Sequence, residues 1–175
     1  MKKETLQNIV FTSMLFSIGL FLPFLTGQIP EIGNMLLPMH LPVLLCGFAC
    51  GYKYGIFLGA VLPLMRSLIF GMPMLFPSAV TMSFELAAYG FLTGFIYLFF
   101  QRKDLPAVYI SLVSAMILGR IVKGFASALC YGIAGKSYGF ALFISGAFLE
   151  AIPGIILQLI LIPAILLALK RASVK

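Results

Sequence analysis

Residues 106–134 read PAVYISLVSAMILGRIVKGFASALCYGIA, an apolar run with two cations, Arg120 and Lys123, near its middle. The run exceeds the roughly 20 residues that a helix needs to cross a hydrocarbon core about 30 Å thick, so it has the length to tilt or to project. Arg120, Lys123 and Ser127 recur at i, i+3 and i+7, which places them on one stripe of an otherwise apolar helix. An ionised group at the centre of a bilayer costs about 2.5–3.5 kcal/mol on the mildest scale. Lys123 lies eleven residues from the Ala134 end, roughly 16 Å, which is beyond the reach of a snorkelling side chain. The stripe therefore faces the interior of a helical bundle and is expected to line a cavity.

The remainder of the chain has the same character. Hydrophobic residues make up 62 % of the 175 residues and charged residues 10 %, with a mean hydropathy of +1.11. A soluble domain has roughly a quarter of its residues charged. The expected fold is all-α and integral to the membrane, one bundle forming a single domain over residues 1–175. The formal charge of +7 is spread over span ends and buried positions instead of one exposed patch, which argues against nucleic acid as a partner. Cys46, Cys50 and Cys130 lie in apolar runs without zinc or redox spacing and read as packing thiols.

Breaks at Gly, Pro and charge divide the chain into six spans. The first runs from about Leu6 to Thr26, a short second from Pro38 to Cys50 and a third from Tyr54 to Phe70. The fourth covers Ser78 to Phe100, the fifth Pro106 to Ala134 and the sixth Ile152 to Leu169, with residues 139–150 read as a short outer helix or re-entrant piece. Lys2 and Lys3 imitate the start of a signal peptide, but no small-residue cleavage site follows, and the first segment is read as a retained helix. Lys2, Lys3, Lys53, Arg102, Lys103, Lys170, Arg171 and Lys175 fall on one side of this arrangement and only Lys136 on the other. Eight against one predicts that both termini are cytoplasmic, in a multi-pass protein of the plasma membrane.

Arg66, Glu85, Arg120, Lys123 and Glu150 all fall in the outer half or at the midplane, and they are the candidate binding residues. Two readings stay open for them. Arg66 could pair with Glu85, and a cation of the fifth span with Glu150, simply fixing helix register. Alternatively, since three cations face two carboxylates, an anionic ligand or Glu31 of the outer loop supplies the missing charge. His40, the only histidine, stands at a helix start, where a lone histidine is more often structural than a ligand. Gly47, Gly51, Gly55 and Gly59, together with Gly90 and Gly94, repeat at intervals of four and suit close internal helix packing. Ser13 and Ser17 form a small-xxx-small pair in the first span, where a partner helix could dock.

Enzymatic motifs fail on inspection. Gly135, Lys136 and Ser137 resemble the end of a Walker A loop, but its first glycine would fall at Cys130 and no strand precedes it. One histidine cannot supply a metalloprotease ligand set. The nearest serine and base, Ser127 and Lys123, make a poor case for an intramembrane nucleophile. A solute-binding transporter subunit and a non-transport membrane assembly protein remain; polar residues converging in the outer half favour the first.

The outer stretch GNMLLPMHLPV (33–43), PLMRS (63–67), FELAAYG (84–90), and Ser13 with Ser17 resemble the substrate-binding S components of energy-coupling factor (ECF) vitamin transporters, as do the six spans and chain length. In that family the first-span element usually reads Ala-xxx-Ala and contacts a membrane coupling subunit; here serines replace the alanines. The resemblance implies a vitamin-binding bundle without a cofactor of its own, working with a coupling subunit and two ATPases on other chains. The segments around Arg66 and Glu85 look most like the pantothenate branch. A pantothenate carboxylate would suit Arg120 or Lys123, and its hydroxyls and amide could use Asn34, Glu85 or Gln158. Folate, riboflavin and pyridoxine- or hydroxymethylpyrimidine-type compounds are the alternatives, for which Tyr89 and Tyr131 would serve as stacking groups.

Overall fold

A computed structural model describes residues 3–26, 35–102, 104–135, 139 and 151–173. The described residues form six α-helices: α1 (Lys3–Phe21), α2 (His40–Cys50), α3 (Tyr52–Phe70), α4 (Val80–Leu98), α5 (Leu105–Ile133) and α6 (Ile152–Ser173). A 3-10 turn, Leu22–Thr26, prolongs α1, and a π turn, Leu75–Ala79, leads into α4. All but α2 are long and apolar enough to cross a membrane. The bundle is thus the all-helical membrane fold that the apolar runs predict, with boundaries within a few residues of those read from the sequence. The expected outer piece at 139–150, apart from Gly139, and the outer loop at 27–34 lie outside the described residues.

The second span differs in kind from the others. With 11 residues it rises only about 16 Å, too little to cross a bilayer unaided. It has the burial of a core element: all of its residues except Ala49 are buried. It packs against α1, α3, α4 and α6. Val43, Leu44 and Cys46 are fully enclosed and join Leu58, Leu62, Leu86 and Leu112 in the hydrophobic core. A helix that is apolar on every face suits an interior position.

Gly51 joins α2 to α3 in a single residue at φ +91°, a conformation that residues with a Cβ rarely adopt. Gly71 closes α3 at φ +72° and donates its N–H to the Ser67 carbonyl at 2.9 Å. Pro106 falls in the first turn of α5, where a missing N–H has no intrahelical partner to lose.

The helices α3 and α4 make the most extensive contact in the bundle. Their backbones meet at glycine: a Cβ on Gly55 would lie 2.3 Å from the Gly90 carbonyl oxygen, and one on Gly90 2.2 Å from the Gly55 carbonyl oxygen. Gly59 abuts the Leu86 backbone, and Gly94 the Tyr52 and Gly47 backbones. The glycines spaced by four therefore mark an internal seam, except Gly51, whose added Cβ would meet nothing within 4 Å and which serves the turn instead. In a lipid solvent, van der Waals contact at such seams replaces the hydrophobic drive that packs soluble helices.

Gly55→Ala and Gly90→Ala should each destabilise the protein by about 1–3 kcal/mol through overpacking. Gly132→Ala, whose added Cβ meets nothing within 4 Å, should leave stability unchanged or slightly raised. Thermal unfolding in mild detergent separates the two classes.

Candidate functional site

Glu85 stands five residues into α4, about 8 Å below that helix's start, and is 1 % exposed. Such a carboxylate survives in an apolar interior only with partners. Its Oε2 lies 3.0 Å from Lys123 Nζ on α5. Its Oε1 accepts a hydrogen bond from Tyr89 Oη at 3.1 Å and faces His40 Nε2 of α2 at 3.6 Å. Tyr89 follows Glu85 by one helical turn, so both side chains leave the same face of α4. Three helices meet at this one carboxylate.

Tyr89 fits because α5 has no side chain at Gly119, where a Cβ would fall 2.2 Å from the ring. The phenol oxygen also lies 3.5 Å from the Met116 carbonyl of α5. The imidazole of His40 tilts 56° against the Tyr89 ring with 5.2 Å between centroids. Immediately before it the chain turns through Leu37 at φ +49°, a left-handed conformation that costs of order 1–3 kcal/mol for a non-glycine residue and recurs at ligand clamps. The amide of His40 bonds the Leu37 carbonyl at 3.1 Å, which fixes the imidazole's point of entry.

The α5 stripe points inward as its spacing predicts. Arg120 and Ser127 are buried, and the Lys123 side chain is 23 % exposed. Arg120 donates from Nη1 to the Met116 carbonyl of its own helix at 3.4 Å. Gln158, on the helix that packs against α2 and α5, is 1 % exposed. Its Nε2, Ser111 Oγ and both ring nitrogens of His40 have no hydrogen-bond partner among the described residues. Buried polar atoms left in this way are rare and costly in a finished interior. Glu85, Tyr89, His40 and Lys123 thus bring a carboxylate, a phenol, an imidazole and an ammonium together in an apolar interior, with Arg120 one turn from Lys123 on the same helix.

Arg66 has a different setting from the register reading, in which it pairs with Glu85. Its Nη1 donates to the Leu20 carbonyl, and its guanidinium lies 5.1 Å and 5.5 Å from the Phe24 and Phe70 ring centroids. Leu20 is in the last turn of α1, where carbonyls lack intrahelical donors and the helix dipole favours a cation. Arg66 therefore ties α3 to the end of α1, while Glu85 takes Lys123 in its place. Asn34 and Glu150 lie outside the described residues. The hydrogen-bonding role of Tyr89 was not anticipated from the sequence, although its spacing of four from Glu85 was a signal for it.

Ser13 and Ser17 lie on the outer face of α1, whose buried stripe is Thr12, Leu15 and Gly19. Each hydroxyl bonds back into its own helix, Ser13 to the Ile9 carbonyl at 2.9 Å and Ser17 to the Ser13 carbonyl at 3.1 Å. With their polar atoms satisfied, both serines act as small apolar steps between Val10, Met14, Ile18 and Phe21, all exposed.

Apolar helices around a buried polar cluster define a multi-pass, all-helical membrane protein. Residues 7–166 match the family model for the ECF transporter substrate-specific component, and the chain belongs to that family. It is a substrate-specific component of an ECF importer in the bacterial cell membrane, a family of transporter subunits and not of enzymes. Such components bind small substrates and partner with coupling and ATPase subunits. No curated protein and no solved structure gives a significant match.

Removing one partner of the Glu85–Lys123 pair should be costlier than removing both. Lys123→Met leaves a buried carboxylate short of its cation and should cost about 3 kcal/mol, the low end of the range for buried pairs because Lys123 is partly exposed. Glu85→Gln with Lys123→Met should recover most of that loss. Unfolding of the two single variants and the double variant in detergent tests the coupling.

Proposed function

We propose that the chain captures a carboxylate-bearing vitamin, pantothenate being favoured, and delivers it together with a coupling subunit and two ATPases on other chains. The observation that carries this reading is the buried cluster itself, which sets Lys123 beside the carboxylate of Glu85, with Arg120 one turn away on the same helix and polar atoms of His40 left without a hydrogen-bond partner among the described residues. A carboxylate entering beside Lys123 and Arg120 would meet cationic side chains in an apolar interior. The ring nitrogens of His40, Oε2 of Glu85 and Nε2 of Gln158, which have no hydrogen-bond partner among the described residues, then serve the hydroxyl and amide groups of such a ligand.

The depths of these residues support capture from outside. From the helix ends nearest Thr26, Phe70, Val80, Ile133 and Ile152, Glu85 lies about 8 Å deep, Gln158 about 9 Å and Lys123 about 15 Å. The excess of Lys and Arg at the opposite ends supports a cytoplasmic position for both termini and an outward-facing site. Asn34, Glu150 and Arg66 complete the proposed set of site residues, Arg66 by holding the end of α1 over α3.

Calorimetry with pantothenate and its neutral amide or alcohol analogue tests the ligand's charge. The acid should bind more tightly. Arg120→Ala and Lys123→Ala, assayed as folded variants, should weaken the acid by roughly ten- to hundredfold and the analogue far less, corresponding to one charge-assisted hydrogen bond of about 1.5–3 kcal/mol. Equal losses would mean that the cations hold the bundle together, and a neutral vitamin would become the better candidate.

The α1 face of Ser13 and Ser17 is the proposed docking surface for the coupling subunit. Ser17→Phe should abolish co-purification with that subunit while solute binding survives. An unchanged complex would remove the assignment.

A further inference from the structure

At the opposite end of the bundle from Glu85, the helices α1 and α6 both pack on α2 and leave a groove between them. Its volume is about 670 Å³, and its lining is Leu6, Val10, Phe11 and Met14 of α1, Ala49 and Cys50 of α2 as the floor, and Leu169 of α6. The two polar lining residues, Gln7 and Asn8, come from the first turns of α1. Lys3 precedes Gln7 by one helical turn, and Lys170 and Arg171 follow Leu169 directly in the last turn of α6. Lys53 stands at the start of α3, just beyond Cys50. All four cations are exposed, and Glu4 is the acidic residue among them.

We infer that this groove is a binding site for an anionic phospholipid, with one acyl chain lying along α1 and the phosphate among Lys3, Lys53, Lys170 and Arg171. Two independent features point to that occupant. The lining changes along its length, from amides at the cationic end to Val10, Phe11 and Met14 farther in, as a lipid changes from headgroup to chain. Among the described residues that flank the lining in sequence, the exposed cations Lys3, Lys53, Lys170 and Arg171 outnumber the acid Glu4, and basic residues at a membrane surface attract anionic lipid additively. The stretch from Leu6 to Met14 spans about 12 Å along the helix, enough to hold the upper part of an acyl chain. This site uses none of the groups around Glu85 and stands whichever leaflet adjoins it.

Native mass spectrometry of the full-length protein in mild detergent tests the inference, with phosphatidylglycerol and phosphatidylcholine of identical chains as probes. Phosphatidylglycerol should bind at least about tenfold more tightly, and Lys170→Gln with Arg171→Gln should bring it to about the level of phosphatidylcholine. Ala49→Leu raises the floor and should weaken both lipids. Val10→Trp narrows the same groove from a residue that is 60 % exposed, so it disturbs no internal packing and should have the same effect if Ala49→Leu fails to fold. Equal affinity for the two lipids, or undiminished binding in Val10→Trp, overturns the proposal. Either result would leave the groove as general lipid contact or as protein interface.

Discussion

The polar centre shared by α2, α4 and α5 is arranged around the carboxylate of Glu85. In hydrocarbon it has no water to turn to, so its two oxygens dictate what the neighbouring helices present: Lys123 from α5, Tyr89 from its own helix and His40 from α2. Meeting that demand fixes the rotation of α4 against α5, because Lys123 reaches Oε2 only if the Arg120–Ser127 stripe faces inward. It also explains Gly119, whose missing side chain admits the Tyr89 ring. Buried ion pairs seldom add net stability compared with an apolar replacement. Retention of one beside unpartnered polar atoms accords with the proposed binding role.

A second constraint works along the α3–α4 seam. There the glycines at 55, 59, 90 and 94 bring two backbones into contact, and the rigid pair presents Arg66 and Glu85 in different directions. Arg66 goes outward to the end of α1, closed in by Phe24 and Phe70. Glu85 goes inward. Division of labour between two in-span charges thus follows from their rotation about adjacent helices, with one securing the first helix and the other organising the polar centre.

The two ends of the bundle differ in kind. Near Glu85 the polar groups are enclosed; at the Lys3 and Arg171 end the charges are exposed and the apolar surface lies open between α1 and α6. That separation accords with the proposed capture of a solute at the Glu85 end.

The amino-acid sequence by itself determined the solvent, the helices and the inward stripe of α5. Those properties follow from the run length of apolar residues, from the intervals between Arg120, Lys123 and Ser127, and from the energetic cost of charge in hydrocarbon, none of which needs a neighbour to be known. It also contained the family resemblance and the glycine spacing. Only the tertiary structure decided which carboxylate answers which cation. Depth along the helices makes Arg66 the nearer claimant on Glu85, yet Lys123 takes it, because the choice rests on helix rotation, which is set by packing between segments distant in the chain. The same reason hid the core position of α2, since an apolar run of that length reads alike as a short span and as a helix enclosed by four others.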